Sequence, residues 1–283
     1  MDTQNPAALS ALTVAVIGGG VMGGALFAAI ATIDDPLVVR VVVAERHPDR
    51  RAELLAEGFG VGGRDLRAVE DPAEAVRGAD VVVLAVKPQD ASAALEGVAD
   101  AWQESALLVS VCAGLSTETL ESMVPAGVRV VRGMPNTPAR IGEGATAICA
   151  GRTAGPEDLT RVMWLLAGTG AVVQVPEKQM DAVTGLSGSG PAYVFLVLEA
   201  LIEAGVEQGL GRAVARDLAV QTVRGAAGMA QQPGAHPALL REAVTSPGGT
   251  TAAGLSALEQ HGVRAAMAAA VRASSARSAG LGA

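Results

Sequence analysis

Aromatic side chains are scarce in this 283-residue chain: three Phe, two Trp and one Tyr. Proteins that grip single-stranded nucleic acid stack bases on aromatic platforms, so that class is excluded. Excess positive charge is lacking too. A formal charge of −8 opposes a broad phosphate-binding surface. Any anionic ligand must therefore be held locally, by a few cations, hydroxyls or backbone amides. Two cysteines, Cys112 and Cys149, lie far apart with no CxxC pattern, which excludes a disulfide framework and a zinc site. The three histidines, His47, His236 and His261, form no HxxxH or HExxH motif, so no metal is expected. A reducing, cytoplasmic setting fits this cysteine usage.

Apolar residues, by contrast, make up 50% of the chain, ample for a core and incompatible with disorder. One run invites a membrane reading, because no charged residue falls between Asp2 and Asp34. Gly18, Gly19, Gly20, Gly23 and Gly24 break it into a short strand and a short helix joined by a glycine turn. The start also lacks the basic region of a signal peptide, so neither secretion nor a membrane partner is expected. Residues 1–12 read as a loose extension.

From Thr13 onward, apolar runs alternate with helix-like segments. Val14–Ile17, Val38–Ala44, Val81–Val86, Leu107–Cys112, Val128–Arg132, Thr146–Ala150 and Val172–Val175 are short and rich in β-branched residues. Such runs suit strands buried on both faces of a parallel sheet. Helical stretches such as Pro48–Glu57 and Pro72–Arg77 lie between them. The alternation predicts right-handed βαβ units in an open α/β sheet over residues 1–176. Beyond Pro176 the strand signal stops. Val194, Leu198, Leu201 and Ile202 recur at helical spacing, as do Val263, Met267, Ala270 and Val271, so residues 177–283 are expected to form an all-α domain. Its abundant small apolar surface suits a subunit interface, although packing within one chain gives the same pattern.

Gly18-x-Gly20-x-x-Gly23 follows the first strand directly and opens an apolar helix, the context in which a GxGxxG motif holds a dinucleotide. The first glycine permits a tight turn, the second lets backbone approach the pyrophosphate, and the third brings helix and strand together. The second strand ends in Glu45-Arg46. Glu45 could accept from an adenosine ribose and favour NAD, while Arg46 could grip a 2′-phosphate and favour NADP. Val86-Lys87-Pro88 and Cys112-Ala113-Gly114 stand at the ends of later strands, where ligands of open α/β sheets bind. Lys87 is either an active-site cation or an exposed loop lysine. Cys112 as a nucleophile is the poorer idea beside a small buried thiol. Met134-Pro135-Asn136-Thr137-Pro138 is a further turn of this kind. Around Ser187 the chain mimics a GxSxG elbow, but helix is expected on both sides and no partner His and acid stand by, which argues against a serine hydrolase. Gly248-Gly249-Thr250-Thr251 precedes another helix. Thr250 or Thr251 could cap it, and its free amides could hold a carboxylate.

Taken in order, Gly18–Gly23, Ala85–Gln89, Met134–Pro138, Gly185–Tyr193 and Ser246–Thr251 resemble the motifs of pyrroline-5-carboxylate reductases, over essentially the whole chain after residue 12. The resemblance implies a Rossmann dinucleotide-binding domain followed by a helical dimerisation domain, with dimers that assemble further, commonly into decamers. It implies reduction of a cyclic imine carboxylate to L-proline by NAD(P)H, the last step of proline synthesis. On that resemblance Gly18, Gly19, Gly20, Val21, Met22 and Gly23 hold the pyrophosphate, and Glu45 and Arg46 the adenosine side. Ala85, Val86, Lys87, Pro88, Cys112, Ala113 and Gly114 line the nicotinamide half. Gly248, Gly249, Thr250 and Thr251 bind the substrate carboxylate, with Thr251 toward the ring nitrogen; Ser189 and Glu177 are further candidates. NADP(H) is favoured, with NAD(H) open because Glu45 stands where members often carry a neutral Asn or Ser. Ala243 stands where some members carry an Asn, so that contact is missing. A related hydroxyacid or imine reductase would need a lysine in the helical domain, where Lys178 stands alone. A dinucleotide-sensing scaffold, binding without turnover, is the non-enzymatic rival.

Overall fold

The computed structural model describes residues 11–56 and 64–281, and most of the loose extension expected over residues 1–12 lies outside them. Leu12 does not belong to that extension: it is 2% exposed and begins the first strand. The strands are β1 (Leu12–Ile17), β2 (Val38–Ala44), β3 (Asp65–Val69), β4 (Val81–Leu84), β5 (Leu107–Ser110), β6 (Arg129–Met134), β7 (Gly144–Ala150) and β8 (Gly170–Gln174). They form one sheet in the order β3-β2-β1-β4-β5-β6-β7-β8. The first six run parallel in the 3-2-1-4-5-6 order of a doubly wound dinucleotide-binding fold. α1 (Val21–Ala31), α2 (Pro48–Ala56), α3 (Pro72–Val76), α4 (Ala91–Glu96) and α5 (Thr117–Ser122) connect them, and α6 (Pro156–Leu166) joins β7 to β8.

Side chains alternate across a strand, so an unbroken apolar run feeds two cores. Val14 and Val16 of β1, with Val41 and Val43 of β2, pack beneath Leu26, Phe27 and Ile30 of α1. Ala15 and Ile17, with Val42 and Ala44, face the opposite side among Val76, Leu95 and Leu120. The sheet takes one side of α1, and α6 with the turns Thr137–Ile141 and Ala167–Thr169 packs against it as well, so that helix carries almost no polar stripe.

Two features depart from the pattern expected along the chain. β3 escapes the search for apolar runs because it is an edge strand carrying Asp65 and Arg67, and edge strands are often charged. β7 runs antiparallel to β6. The connection from Met134 to Gly144 is shorter than the dozen or so residues that a parallel crossover requires, so the chain folds back instead. The 3₁₀ turn Thr137–Ile141 makes that reversal, and Gly142 closes it with φ +72°. Several expected ends also move: β4 stops at Leu84 rather than Val86 and β5 at Ser110 rather than Cys112, releasing the residues beyond as loops at the carboxyl edge.

After β8 come α7 (Met180–Val183), a π-helical turn at Thr184–Gly188, α8 (Gly190–Glu207), α9 (Arg212–Ala230), α10 (Pro237–Ala243), α11 (Thr250–Gln260) and α12 (Val263–Ala279). The chain divides into two compact units. One comprises residues 1–188 together with Ser274–Ala283, and the other is Ser189–Ala273. In the second unit α8 and α9 pair closely, with Gly205 against Ala215. Its buried apolar residues are Ala215 and Ala219, whereas Phe195, Leu196, Leu218 and Leu239 are all more than half exposed. Large apolar side chains exposed in this number suit an interaction surface. The run before Asp34 folds as β1 and α1 rather than as a span. By length and composition alone, the helical stretch Glu177–Glu207 could cross a membrane.

Phe27 is fully buried against the sheet. Phe27→Ala is expected to lower the unfolding free energy by about 3–5 kcal/mol, read as a lower denaturation midpoint in urea.

Candidate active site

The glycine turn sits where β1 meets β2 on one side and β4 on the other. Gly18 donates its amide to the Ala44 carbonyl at 2.9 Å, and Ala85 donates to the Ile17 carbonyl at 2.9 Å, so the ends of the three strands are tied together. Gly18 has φ +98°, and a Cβ there would stand 2.8 Å from the Ala85 carbonyl oxygen. At Gly23 a Cβ would overlap the Gly18 carbonyl oxygen, whereas at Gly20 it would meet nothing within 4 Å. Helix α1 thus begins in contact with the strand it follows, and the backbone of Gly20 faces an open cradle. Such a helix start concentrates unpaired amides and positive dipole on one spot, which suits a phosphate group.

A cavity of about 560 Å³ opens from this cradle. It brings together seven of the candidate residues: Gly18, Gly20, Glu45, Arg46, Ala85, Val86 and Lys87. Lys87 is exposed and stands just before the 3₁₀ turn that Pro88 begins. Val21 and Gly20 line a separate cavity with Arg50 and Arg140, while Met22 packs partly into the core under α1. His47, Glu70, Asp90, Ala93 and Ala94 also line the larger cavity; none was assigned to the site from the sequence, since single residues on α4 and in the turns before it carry no motif.

Side-chain pairing separates Glu45 from Arg46. The Glu45 carboxylate accepts from the Gly19 amide at 3.1 Å and from the His47 amide at 2.9 Å. Gly19 therefore gives its N–H to Glu45. Its carbonyl accepts from Arg50 Nε at 3.0 Å, so Glu45 and Arg50 together brace the loop. Arg51 braces the next turn by donating to the carbonyls of Glu45 and Arg46. The Arg46 guanidinium is exposed at the cavity, with no ion-pair partner among the described residues.

Cys112 is 2% exposed and donates its thiol to the Val86 carbonyl at 3.2 Å. Burial pushes that thiol up, the opposite of what a nucleophile needs. Gly114, with φ +78°, packs against Leu281, and a Cβ there would stand 3.2 Å from the leucine Cβ. Glu177 accepts from the Thr117 amide and hydroxyl at 2.7 and 2.6 Å, and from Arg132 at 3.3 Å. Burial pushes its carboxyl up, but the Thr117 bonds and the Arg132 charge outweigh that and hold it below the ordinary range. Cys149, facing that carboxylate, is pushed up to about 11 by burial first and by the Glu177 charge second.

In the helical unit, Gly248 turns with φ +66° and Gly249 donates its amide to the Ser246 carbonyl at 3.0 Å. The expectation that Thr250 or Thr251 caps α11 is corrected: Gly249 is the N-cap, and the two threonines occupy the first helical positions. A Cβ on Gly249 would displace the Ser246 hydroxyl from its present rotamer. The threonine side chains are therefore not committed to capping, and the first amides of α11 stand beside them. Ser189, half-buried, directly precedes α8.

Fold and glycine cradle define a nicotinamide-dinucleotide oxidoreductase, and residues 13–114 match a family model described as NADP oxidoreductase coenzyme F420-dependent. Residues 177–281 match the model for pyrroline-5-carboxylate reductase dimerisation. A pyrroline-5-carboxylate reductase of Mycobacterium tuberculosis is 45% identical, with 94% of this chain and 95% of the relative covered. The solved pyrroline-5-carboxylate reductase of Coxiella burnetii superposes with a TM-score of 0.86 at 34% identity, covering 97% of this chain and all of that one. The solved Plasmodium falciparum pyrroline carboxylate reductase, with NADP bound, gives 0.82 at 31% identity, covering 98% and 100%. The chain belongs to the pyrroline-5-carboxylate reductase family.

Both cysteines are buried with raised thiols. The folded protein at pH 8 is expected to react with Ellman's reagent at well under one thiol on the timescale of minutes, and at both on unfolding in guanidinium. Fast labelling of one thiol in the native protein would contradict the burial.

Proposed function

We propose that this protein reduces 1-pyrroline-5-carboxylate to L-proline with NADP(H), and with NAD(H) as a second, weaker donor. The observation that carries the reading is the glycine cradle at the β1/β4 switch point, in a chain related along its length to pyrroline-5-carboxylate reductases. Residues 1–176 act as the cofactor half, and residues 177–283 as the substrate and self-association half. The dinucleotide fits the chain: Gly20 leaves room for a diphosphate, the first amides of α1 face it, and Arg46 is a cation without a carboxylate partner among the described residues. When bound, the nicotinamide supplies the hydride.

The chain's own part is binding and orientation. A ring imine protonates readily, and the iminium accepts hydride at carbon without a strong general acid, so proximity carries much of the barrier lowering. Thr250, Thr251 and the first amides of α11 receive the substrate carboxylate, beside Gly248 and Gly249. The Thr251 hydroxyl orients the ring nitrogen, and Ser189 and Glu177 complete the substrate set. Ala85, Val86, Lys87 and Pro88 with Cys112, Ala113 and Gly114 border the rest of the cofactor. Glu45 is engaged by two backbone amides, which favours a cradle braced for Arg46 to meet a 2′-phosphate. The exposed apolar side chains of Ser189–Ala273 are assigned to a second copy of the chain rather than to lipid, in keeping with the dimerisation model that matches this segment. A cytoplasmic location follows from the biosynthetic role.

The test is oxidation of NADPH and of NADH in the presence of pyrroline-5-carboxylate. No oxidation of either would overturn the reading and leave the dinucleotide-sensing scaffold. Arg46→Ala is expected to raise KM for NADPH about tenfold, as for loss of one charged hydrogen bond, with KM for NADH little changed. A proportional change with both cofactors would contradict the 2′-phosphate role. Thr251→Ala is expected to lower kcat/KM at least ~10-fold, about 1.4 kcal/mol of transition-state stabilisation; turnover at the parent rate would remove Thr251 from the mechanism.

A further inference from the structure

The Met134–Pro138 motif and the residues around Ser187 have no place in the chemistry above, yet they meet. Thr184–Gly188 is a π-helical turn, and α8 follows it with a proline in its first turn. In a continuing α-helix the Ser187 carbonyl would accept from the amide four residues on. That residue is Pro191, which has no N–H. The missing donor comes from a distant part of the chain: Asn136 Nδ2 donates to the Ser187 carbonyl at 3.0 Å.

The orientation of the Asn136 amide follows from its two partners. Its Oδ1 accepts from the Ala145 amide at 2.8 Å, and that group can only donate. Its nitrogen must therefore face Ser187, whose carbonyl can only accept. Met134 lies under the same turn: a Cβ on Gly188 would stand 2.6 Å from the Met134 Cε. Within the turn, the Thr184 and Ser187 hydroxyls bond back to the carbonyls of Met180 and Val183 at 2.9 and 3.1 Å, so neither is left to hold it from outside. π-turns inside helices cost stability and recur at functional sites. This one ends one residue before Ser189.

We propose that Asn136 is a positioning residue for the reaction: it supplies the hydrogen bond that Pro191 denies to Ser187 and so fixes the turn that delivers Ser189 to the substrate. The proposal rests on the assignment of Ser189 to the substrate set. Asn136 does not line the cavity beside Arg46. Loss of its bond to Ser187 is expected to act on substrate handling more than on dinucleotide binding.

Three variants test it, each assayed for NADPH oxidation with pyrroline-5-carboxylate and for NADPH affinity by nucleotide fluorescence. Asn136→Asp keeps the acceptor for Ala145 and sets an oxygen against the Ser187 carbonyl. It is expected to lower kcat/KM for the imine at least tenfold, with NADPH affinity within twofold of the parent. Asn136→Ala is expected to do the same. Adding Pro191→Ala to Asn136→Ala restores a backbone N–H four residues after Ser187 and is expected to recover part of the loss. Parent-like kcat/KM in Asn136→Asp overturns the proposal. So does a parallel fall of activity, NADPH affinity and thermal midpoint, which would mark a merely structural residue, and so does a double variant with no recovery. Should the parent protein itself not oxidise NADPH with this imine, the proposed function fails, whatever the Asn136 variants do.

Discussion

The approach of α1 to the end of β1 is the constraint on which the rest depends. Six residues, Gly18 to Gly23, must reverse the chain so tightly that the helix starts against the carbonyl it has just left. Only glycine tolerates that at Gly18, with its positive φ, and at Gly23, where any side chain would occupy the space of a carbonyl oxygen. Because the turn is tight, α1 lies against β1 and β2 and buries Leu26, Phe27 and Ile30. Because it is open above Gly20, the same turn presents unpaired amides at the crevice where the strand order reverses. Packing and binding are thus two consequences of one backbone path.

Around this turn the structure uses charge economically. Glu45, Arg50 and Arg51 all lie near the cradle and brace its backbone: Glu45 accepts from two amides, Arg50 donates to the Gly19 carbonyl while pairing with Glu53, and Arg51 donates to the carbonyls of Glu45 and Arg46 while pairing with Glu70. They stiffen the loop that receives the ligand, and Arg46 remains with its charge facing the cavity. In a chain with a net charge of −8, Arg46 and Lys87 beside the glycine turn give this cavity local cations without a basic surface. Glu177 follows the same logic elsewhere. It ties the start of α5 and the buried Arg132 to the segment that leaves the sheet.

Much of the fold was legible along the chain, because burial on both faces leaves short, mostly apolar runs at β1, β2, β4 and β5. β3 was not, since Asp65 and Arg67 on an edge strand mimic a loop. Nor was the direction of β7, which depends on the length of a connection rather than on the strand's own residues. The cofactor cradle was legible because its glycines are demanded by geometry. The capping of α11 was not: hydroxyls suited to capping stand at Thr250 and Thr251, but the turn closed by Gly248 and Gly249 moves the helix start one residue earlier. The helical unit shows the limit of periodicity. Its apolar positions are real, yet many stay exposed, because one copy of the chain holds too little neighbouring surface to cover them.

By itself the sequence determined the alternation of strand and helix, the glycine turn and the family, because each is written in neighbouring residues or in ordered motifs. Only the tertiary structure decided which charges are already engaged and which turns are held from outside. Glu45 and Arg46 are adjacent in the chain, yet one braces the loop and the other faces the cavity. Asn136 and Ser187 lie 51 residues apart, and nothing local to either announces their bond. Hydrogen bonds are satisfied in space rather than along the chain, and a proline that removes a helical donor can be answered by whichever side chain the fold brings near.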